Sequence, residues 1–201
     1  MLKKLQGVSI MSLPERKKVY TYEDYLNCPD EQRIEIIDGQ VYLHTLPPRI
    51  HQEISGAIVY QFSNYLKDKK CEVYFARLGV RLPSGNEKSD KEITTVVEPD
   101  IIVVCDKSKL DDEGCKGAPA LIVEITSPST ARTDKVEKFN LYEKHGVREY
   151  WIVEPEIKLV TVFLLQENGR YGRPNIYTEE DKIKVSIFED IVIDLKDVFN
   201  Y

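Results

Sequence analysis

The stretch Glu98-Pro99-Asp100-Ile101-Ile102-Val103-Val104, followed by Ala120-Leu121-Ile122-Val123-Glu124-Ile125, decides how this chain is read. Both apolar runs have the length and composition of short buried strands. Asp100 stands at the mouth of the first run, and Glu124 interrupts the second. A carboxylate inside a buried strand is costly unless a cation or a dense set of hydrogen bonds meets it. Something in the fold must therefore compensate Glu124.

Working outward, Cys71 to Leu82 reads as a strand, and Pro83-Ser84-Gly85-Asn86 with the charged stretch behind it reads as an exposed loop. Residues 106 to 119 form a polar loop between the two acid-bearing strands. Loops such as 83–97 and 106–119 are where substrate specificity would reside. Upstream, Ile50, Ile54, Ala57, Ile58, Phe62, Tyr65 and Leu66 keep helical spacing, which predicts a long amphipathic helix closed by Lys67 to Lys70. Arg33 to Leu43 alternates around Asp38-Gly39, a hairpin signal, and Pro47-Pro48 ends it. Thr21 with Asp24 predicts a short capped helix from Tyr22 that stops before Pro29. Residues 1 to 18 lack periodicity and read as a loose leader in which Met11 is an alternative start.

Downstream, a second helix is expected after Ser127-Pro128-Ser129-Thr130. It runs to His145, with Gly146 as its left-handed cap. Glu149 to Val153 returns as a strand, and the tail alternates around Glu167-Asn168-Gly169-Arg170 as antiparallel hairpins. The expected organisation is a leader (1–18) and a single α/β domain (19–201). A length of 201 residues with 42% hydrophobic content suits one such core and not two.

A net charge of -6 argues against a broadly basic nucleic-acid clamp but not against a local basic patch. Cys28, Cys71, Cys105 and Cys115 show no CxxC spacing, so neither zinc nor a disulfide framework is expected, and reduced thiols in a cytoplasmic protein fit. The first residues are too short and polar for a signal-peptide core, and no run reaches the ~18 apolar residues of a spanning helix. His44, His51 and His145 form no metal-spaced pair, and no hydrolase elbow, P-loop or dinucleotide fingerprint occurs. His51 reads first as a helix residue, with closeness to the acids as the condition for a larger role. Tyr150 and Trp151 read as core.

Asp100 and Glu124 fall on sequential central strands, so they can converge. Adjacent carboxylates repel unless a divalent cation joins them, and hard oxygen donors suit Mg²⁺ or Mn²⁺. Such an ion activates water and offsets charge on a phosphodiester. The competing reading has Asp100 capping a loop and Glu124 paired with a basic side chain. Asp134, Lys138 and Tyr142 recur every fourth residue, a stripe that either faces the acids or forms a surface ion pair worth about 0.3 kcal/mol. Arg132 and Lys135 are phosphate contacts or a solvated face.

Together these motifs, with Gly146-Val147-Arg148-Glu149-Tyr150-Trp151-Ile152-Val153, Arg33-Ile34-Glu35-Ile36-Ile37-Asp38-Gly39 and His51, resemble the Uma-two family within the PD-(D/E)XK nuclease superfamily. The likeness runs from about residue 20 through most of the chain. It implies a restriction-endonuclease-like α/β core, a mixed central sheet flanked by helices, with an extra N-terminal hairpin and C-terminal antiparallel strands. It implies an endonuclease whose divalent metal is held by Asp100 and Glu124, with DNA as the expected nucleic acid, no membrane, and a homodimer as one assembly. The superfamily's usual lysine, two residues after the second acid, is here Thr126. The resemblance moves that role to Lys138 and adds Glu35 as a further acid at the metal site or its water, with pairing to an arginine in the hairpin as the competing role. The alternative function is a catalytically silent nucleic-acid-binding or dimeric interaction module on the same fold.

Overall fold

The computed structural model describes residues 18–29, 32–44 and 46–201. Apart from Lys18, the expected leader lies outside these residues. Thr21 starts α1 (Tyr22–Leu26), and its backbone N–H donates to the Asp24 carboxylate at 3.0 Å, as the capping pair predicts. The Asp38-Gly39 hairpin joins β1 (Arg33–Ile37) to β2 (Gln40–His44), with φ of +46° and +78° at its two turn residues. Positive φ at both positions is what a tight right-twisting hairpin demands. α2 (Arg49–Leu66) follows the Pro47-Pro48 break and buries Ile54, Ile58, Phe62 and Leu66, a stripe at helical spacing.

α2 packs on a six-stranded sheet in the order β12 (Asn175–Thr178), β11 (Leu159–Leu164), β10 (Glu149–Glu154), β9 (Leu121–Ile125), β6 (Ile101–Val104), β3 (Glu72–Phe75). β9 and β10 run parallel and all other neighbours antiparallel. A parallel pair needs a long crossover, and the second helix supplies it. On the α2 side the core is closed by the hairpin β13 (Lys182–Lys184) and β14 (Val192–Asp194) with α4 (Leu195–Val198). Against the other face lie the end of the second helix, α3 (Phe139–His145), and a second sheet. The latter is ordered β2, β1, β5 (Val96–Val97), β4 (Val80–Arg81), β8 (Gly114–Lys116), β7 (Leu110–Asp111).

Strand alternation then assigns faces. Leu121, Val123 and Ile125 belong to the α2-side core and Ile122 to the opposite one, so Glu124 shares the face of Ile122 and looks toward the second helix. Tyr150 and Trp151 are fully buried, as the sequence suggests. Among the described residues no helix is long and apolar enough to cross a membrane.

Three local expectations are corrected. The single strand expected over Cys71–Leu82 is two: β3 pairs with β6, whereas β4 crosses to the second sheet and pairs with β5 and β8. The apolar pattern is shared by both pieces, and only the choice of partner separates them. The loops over 83–97 and 106–119 contain β5, β7 and β8, strands too short to carry a period. Finally, Cys71 and Cys105 are joined as a disulfide, against the expectation of four reduced thiols. The β3–β6 register pairs Glu72 with Val104, so the next residues out, Cys71 and Cys105, face each other with Cα atoms 4.0 Å apart. A separation of 34 residues gives no hint of this.

Candidate active site

The β6–β9 ladder pairs Ile101 with Val123, and one step beyond that pair Asp100 stands opposite Glu124. Asp100 accepts the Ile125 N–H at 2.8 Å through Oδ2, which fixes its carboxylate against the partner strand. His51, from the first turn of α2, brings Nε2 within 3.1 Å of the same oxygen. Strand β9 and the first turn of α2 thus meet at Asp100.

Lys138 reaches Glu124 from the other side. The second helix opens with a π-helical stretch, Thr133–Lys138, before continuing as α3 to the left-handed Gly146 cap at φ +80°. A wider turn counters the drift that an i,i+4 stripe suffers at 3.6 residues per turn. Asp134, Lys138 and Tyr142 are consequently all buried on one face, while Val136 is exposed. Tyr150 anchors the widened turn by donating to the Asp134 carbonyl at 3.0 Å.

The Lys138 ammonium donates at 2.9 Å to both Glu124 Oε1 and Glu35 Oε1, with Asp134 Oδ1 3.8 Å away. Tyr142 donates its hydroxyl to the same Glu124 oxygen at 2.7 Å. Glu35, on β1, also accepts the Glu98 N–H at 2.7 Å, and His44 Nε2 lies 2.7 Å from its second oxygen. Glu98 in turn accepts from Tyr25 and from Arg33 Nε at 2.7 and 2.9 Å. Thr126, at the superfamily's usual lysine position, gives its N–H to Val153 and simply extends the β9–β10 pairing.

Burial works against the Glu35 anion, but Lys138 and His44 outweigh it and hold its carboxyl below the usual range. Glu124 goes the other way: burial, with Asp134, Asp100 and Glu35 nearby, outweighs Lys138 and lifts it well above the ordinary carboxylate value. Asp134 is raised by burial as well. Burial lowers the Lys138 ammonium less than Glu124, Glu35 and Asp134 raise it, so the lysine stays charged. Five buried acids, Glu35, Glu98, Asp100, Glu124 and Asp134, face three full-time cations, Lys138, Arg33 and the more exposed Arg77, 3.9 Å from Glu98. The negative charge is in excess.

That excess is the fit test for a divalent cation. The hydrogen bonds from described residues leave Glu124 Oε2 and Asp100 Oδ1 without donors, and both residues line a cleft of about 140 Å³ beside His51, Asp134 and Lys138. Two hard oxygens with surplus charge suit Mg²⁺ or Mn²⁺. Among the described residues no three His, Cys, Asp or Glu side chains already stand together at metal-holding spacing. Lys138 instead separates Glu35 from Glu124, and both Glu35 oxygens are engaged. Asp100 and Glu124 fit the ion, and Glu35 fits Lys138.

A family model described as "Putative restriction endonuclease", that of Uma2, matches residues 22–196. The chain belongs to the Uma2 family. A Synechocystis relative, the uncharacterized protein slr1290, is 26% identical over 166 residues, covering 81% of this chain and 83% of its own. A crystal structure of a "putative nuclease belonging to DUF820" from Anabaena variabilis superposes with a TM-score of 0.70 at 20% identity, over 90% of this chain and 97% of that one. The Uma2 chain thus has the restriction-endonuclease-like α/β fold expected from its motifs.

Of the residues singled out in the Uma2 sequence, Glu124, Lys138 and Glu35 meet in one hydrogen-bonded cluster, joined by Asp134 and Tyr142 of the helical stripe, and Asp100 stands opposite Glu124 at the same cleft. Arg132 and Lys135 do not join it: they lie on the solvated side, paired with Glu137 and Glu154. Sequence reasoning weighed His44 only as a metal ligand, offered a hairpin arginine as the partner of Glu35 whereas Arg33 pairs with Glu98, and underweighted His51 and Glu98. The available signal was slight, because each sits in an ordinary hairpin, helix or strand-end context.

Proposed function

We propose that this Uma2 chain is a divalent-metal-dependent endonuclease that hydrolyses DNA phosphodiester bonds. The observation that carries the reading is Asp100 opposite Glu124, each with an oxygen left free toward the cleft, and Lys138 against Glu124. Asp100 and Glu124 are the ligands for Mg²⁺ or Mn²⁺. When bound, the ion supplies an acidified water and offsets charge developing on the phosphate. Lys138 places a fixed ammonium beside that charge, and a buried cation held at a set position stabilises it more than a mobile one in water. Glu35 is a positioning residue that keeps Lys138 charged and aimed. Tyr142 holds the Glu124 oxygen that Lys138 also uses, which turns the other oxygen to the ligand.

The test incubates plasmid and single-stranded DNA with the protein in Mg²⁺, Mn²⁺ or EDTA. Cleavage in metal and none in EDTA is expected, with loss in Asp100→Ala, Glu124→Ala and Lys138→Ala while their circular dichroism stays as in wild type. Folded wild type that binds DNA yet cuts nothing in either metal would refute the reading in favour of a silent binding module. Cutting both strands of a duplex calls for two such sites, so duplex cleavage would be accompanied by a homodimer in native mass spectrometry.

A further inference from the structure

A second cavity, of about 350 Å³, lies at the end of the main sheet away from the carboxylates, where Lys70, Cys105, Asp106, Lys109, Ala118 and Arg148 line it. Cys105 and its partner Cys71 are half-buried, and only Cys105 faces this cavity. The charged lining is three cations against one carboxylate. Their closeness is registered at Asp106, whose carboxyl is held low first by the Ser108 hydrogen bonds and then by Lys109 and Lys70. The other cysteines lie outside this cavity. Cys115 also has Lys109 and Arg81 near it, but it is buried, which outweighs them and pushes its thiol up to about 11, and Cys28 lines a different hollow with Tyr25, Gln32 and Arg77.

We propose that this cavity is a thiol-exchange site, at which a small anionic thiol, or its disulfide, reacts with Cys105 Sγ. Cationic surroundings stabilise a departing or attacking thiolate, and they concentrate an anionic partner. In the reducing direction, a thiolate attacks Cys105 Sγ, the Cys71–Cys105 bond breaks, and its electron pair leaves on Cys71, which takes up a proton. A second thiolate attacks the outer sulfur of the mixed disulfide. Cys105 departs as a thiolate and is protonated, and the two small thiols leave as their disulfide. Two electrons and two protons pass to the protein. The oxidising direction reverses each step. Because the bond ties the turn after α2 to the end of β6, its state decides whether the edge strand β3 is held covalently or by its ladder alone.

The experiment uses full-length protein reduced with dithiothreitol and desalted, then mixed with oxidised glutathione, which is anionic, or with cystamine, which is cationic. Intact mass and peptide mapping follow the products. Wild type is expected to pass through a glutathione adduct on Cys105 to the Cys71–Cys105 bond, and Cys71→Ser to stop at the adduct. Glutathione should react at least several-fold faster than cystamine, with the preference lost or reversed in Lys70→Glu/Arg148→Glu, whose cysteines are untouched. Equal rates for the two reagents, adducts confined to Cys28, or failure of wild type to close the Cys71–Cys105 bond would each overturn the proposal.

Discussion

Replacing Lys138 by methionine removes the one ammonium that three buried acids share while keeping a linear side chain of similar bulk. The lysine is 2% exposed, and its two hydrogen bonds to Glu35 and Glu124 are 2.9 Å long. Deleting one partner of a buried ion pair costs about 3–5 kcal/mol, because the remaining charge is left uncompensated. Here the lower end applies, since Glu124 and Asp134 are already raised by burial and can take up a proton instead. About 3 kcal/mol at neutral pH corresponds to about 1.5 M in the urea midpoint at a slope of about 2 kcal/mol/M. The assay is ready-made: Trp151 is the single tryptophan and is fully buried, so its fluorescence reports unfolding. A carboxyl whose folded pKa is raised contributes stability that is present below its unfolded value near 4.5 and is lost as pH rises through the folded value. The variant's deficit should therefore narrow on acidification from neutral pH. Saturating Mn²⁺ should narrow it too, because the variant, with no ammonium competing for Glu124, binds the cation at Asp100 and Glu124 more tightly than wild type does; each 10-fold difference in Kd closes the gap by about 1.4 kcal/mol. A deficit under about 1 kcal/mol, or one indifferent to both pH and Mn²⁺, would refute the charge-excess argument.

Three other perturbations probe separate parts of the structure. Glu124→Gln keeps the shape but deletes the most destabilised anion, so the metal-free variant should gain stability over wild type at pH 8, lose that gain toward pH 4.5, and show no midpoint shift with Mn²⁺ in thermal melts. Tyr142→Phe strips the buried hydroxyl from Glu124 Oε1; about 1.5–3 kcal/mol of stability and about 10-fold in Mn²⁺ affinity should go, read by urea melts and by titration calorimetry. Gly39→Ala meets both a φ of +78° and a Cβ position 2.5 Å from Val19 Cγ1, so the hairpin that carries Glu35 should lose about 1–2 kcal/mol in denaturant midpoints.

Sequence alone determined what depends on neighbours a few residues away. The Asp38-Gly39 turn, the Thr21 cap, the 3.6-residue stripe of α2 and the Gly146 stop are each set by local sterics and hydrogen bonding, and each stands where the pattern predicts. The apolar runs around Asp100 and Glu124 also announced buried strands and an acid pair in need of compensation. Their partners were another matter. Glu35 and Lys138 are 103 residues apart, and no period or composition links them; the second sheet does, by carrying β1 over the face where Glu124 looks out. Cys71 meets Cys105 only because the β3–β6 register brings them level, and His51 reaches Asp100 only because α2 packs across the sheet with its first turn at that end. The 71–82 segment shows the limit most clearly: its side chains suit a strand throughout, and the ladder partners available on two sheets decided where to cut it. Local energetics select element types from short-range terms, whereas register and sheet membership come from long-range burial summed over the whole chain, which only the tertiary structure contains.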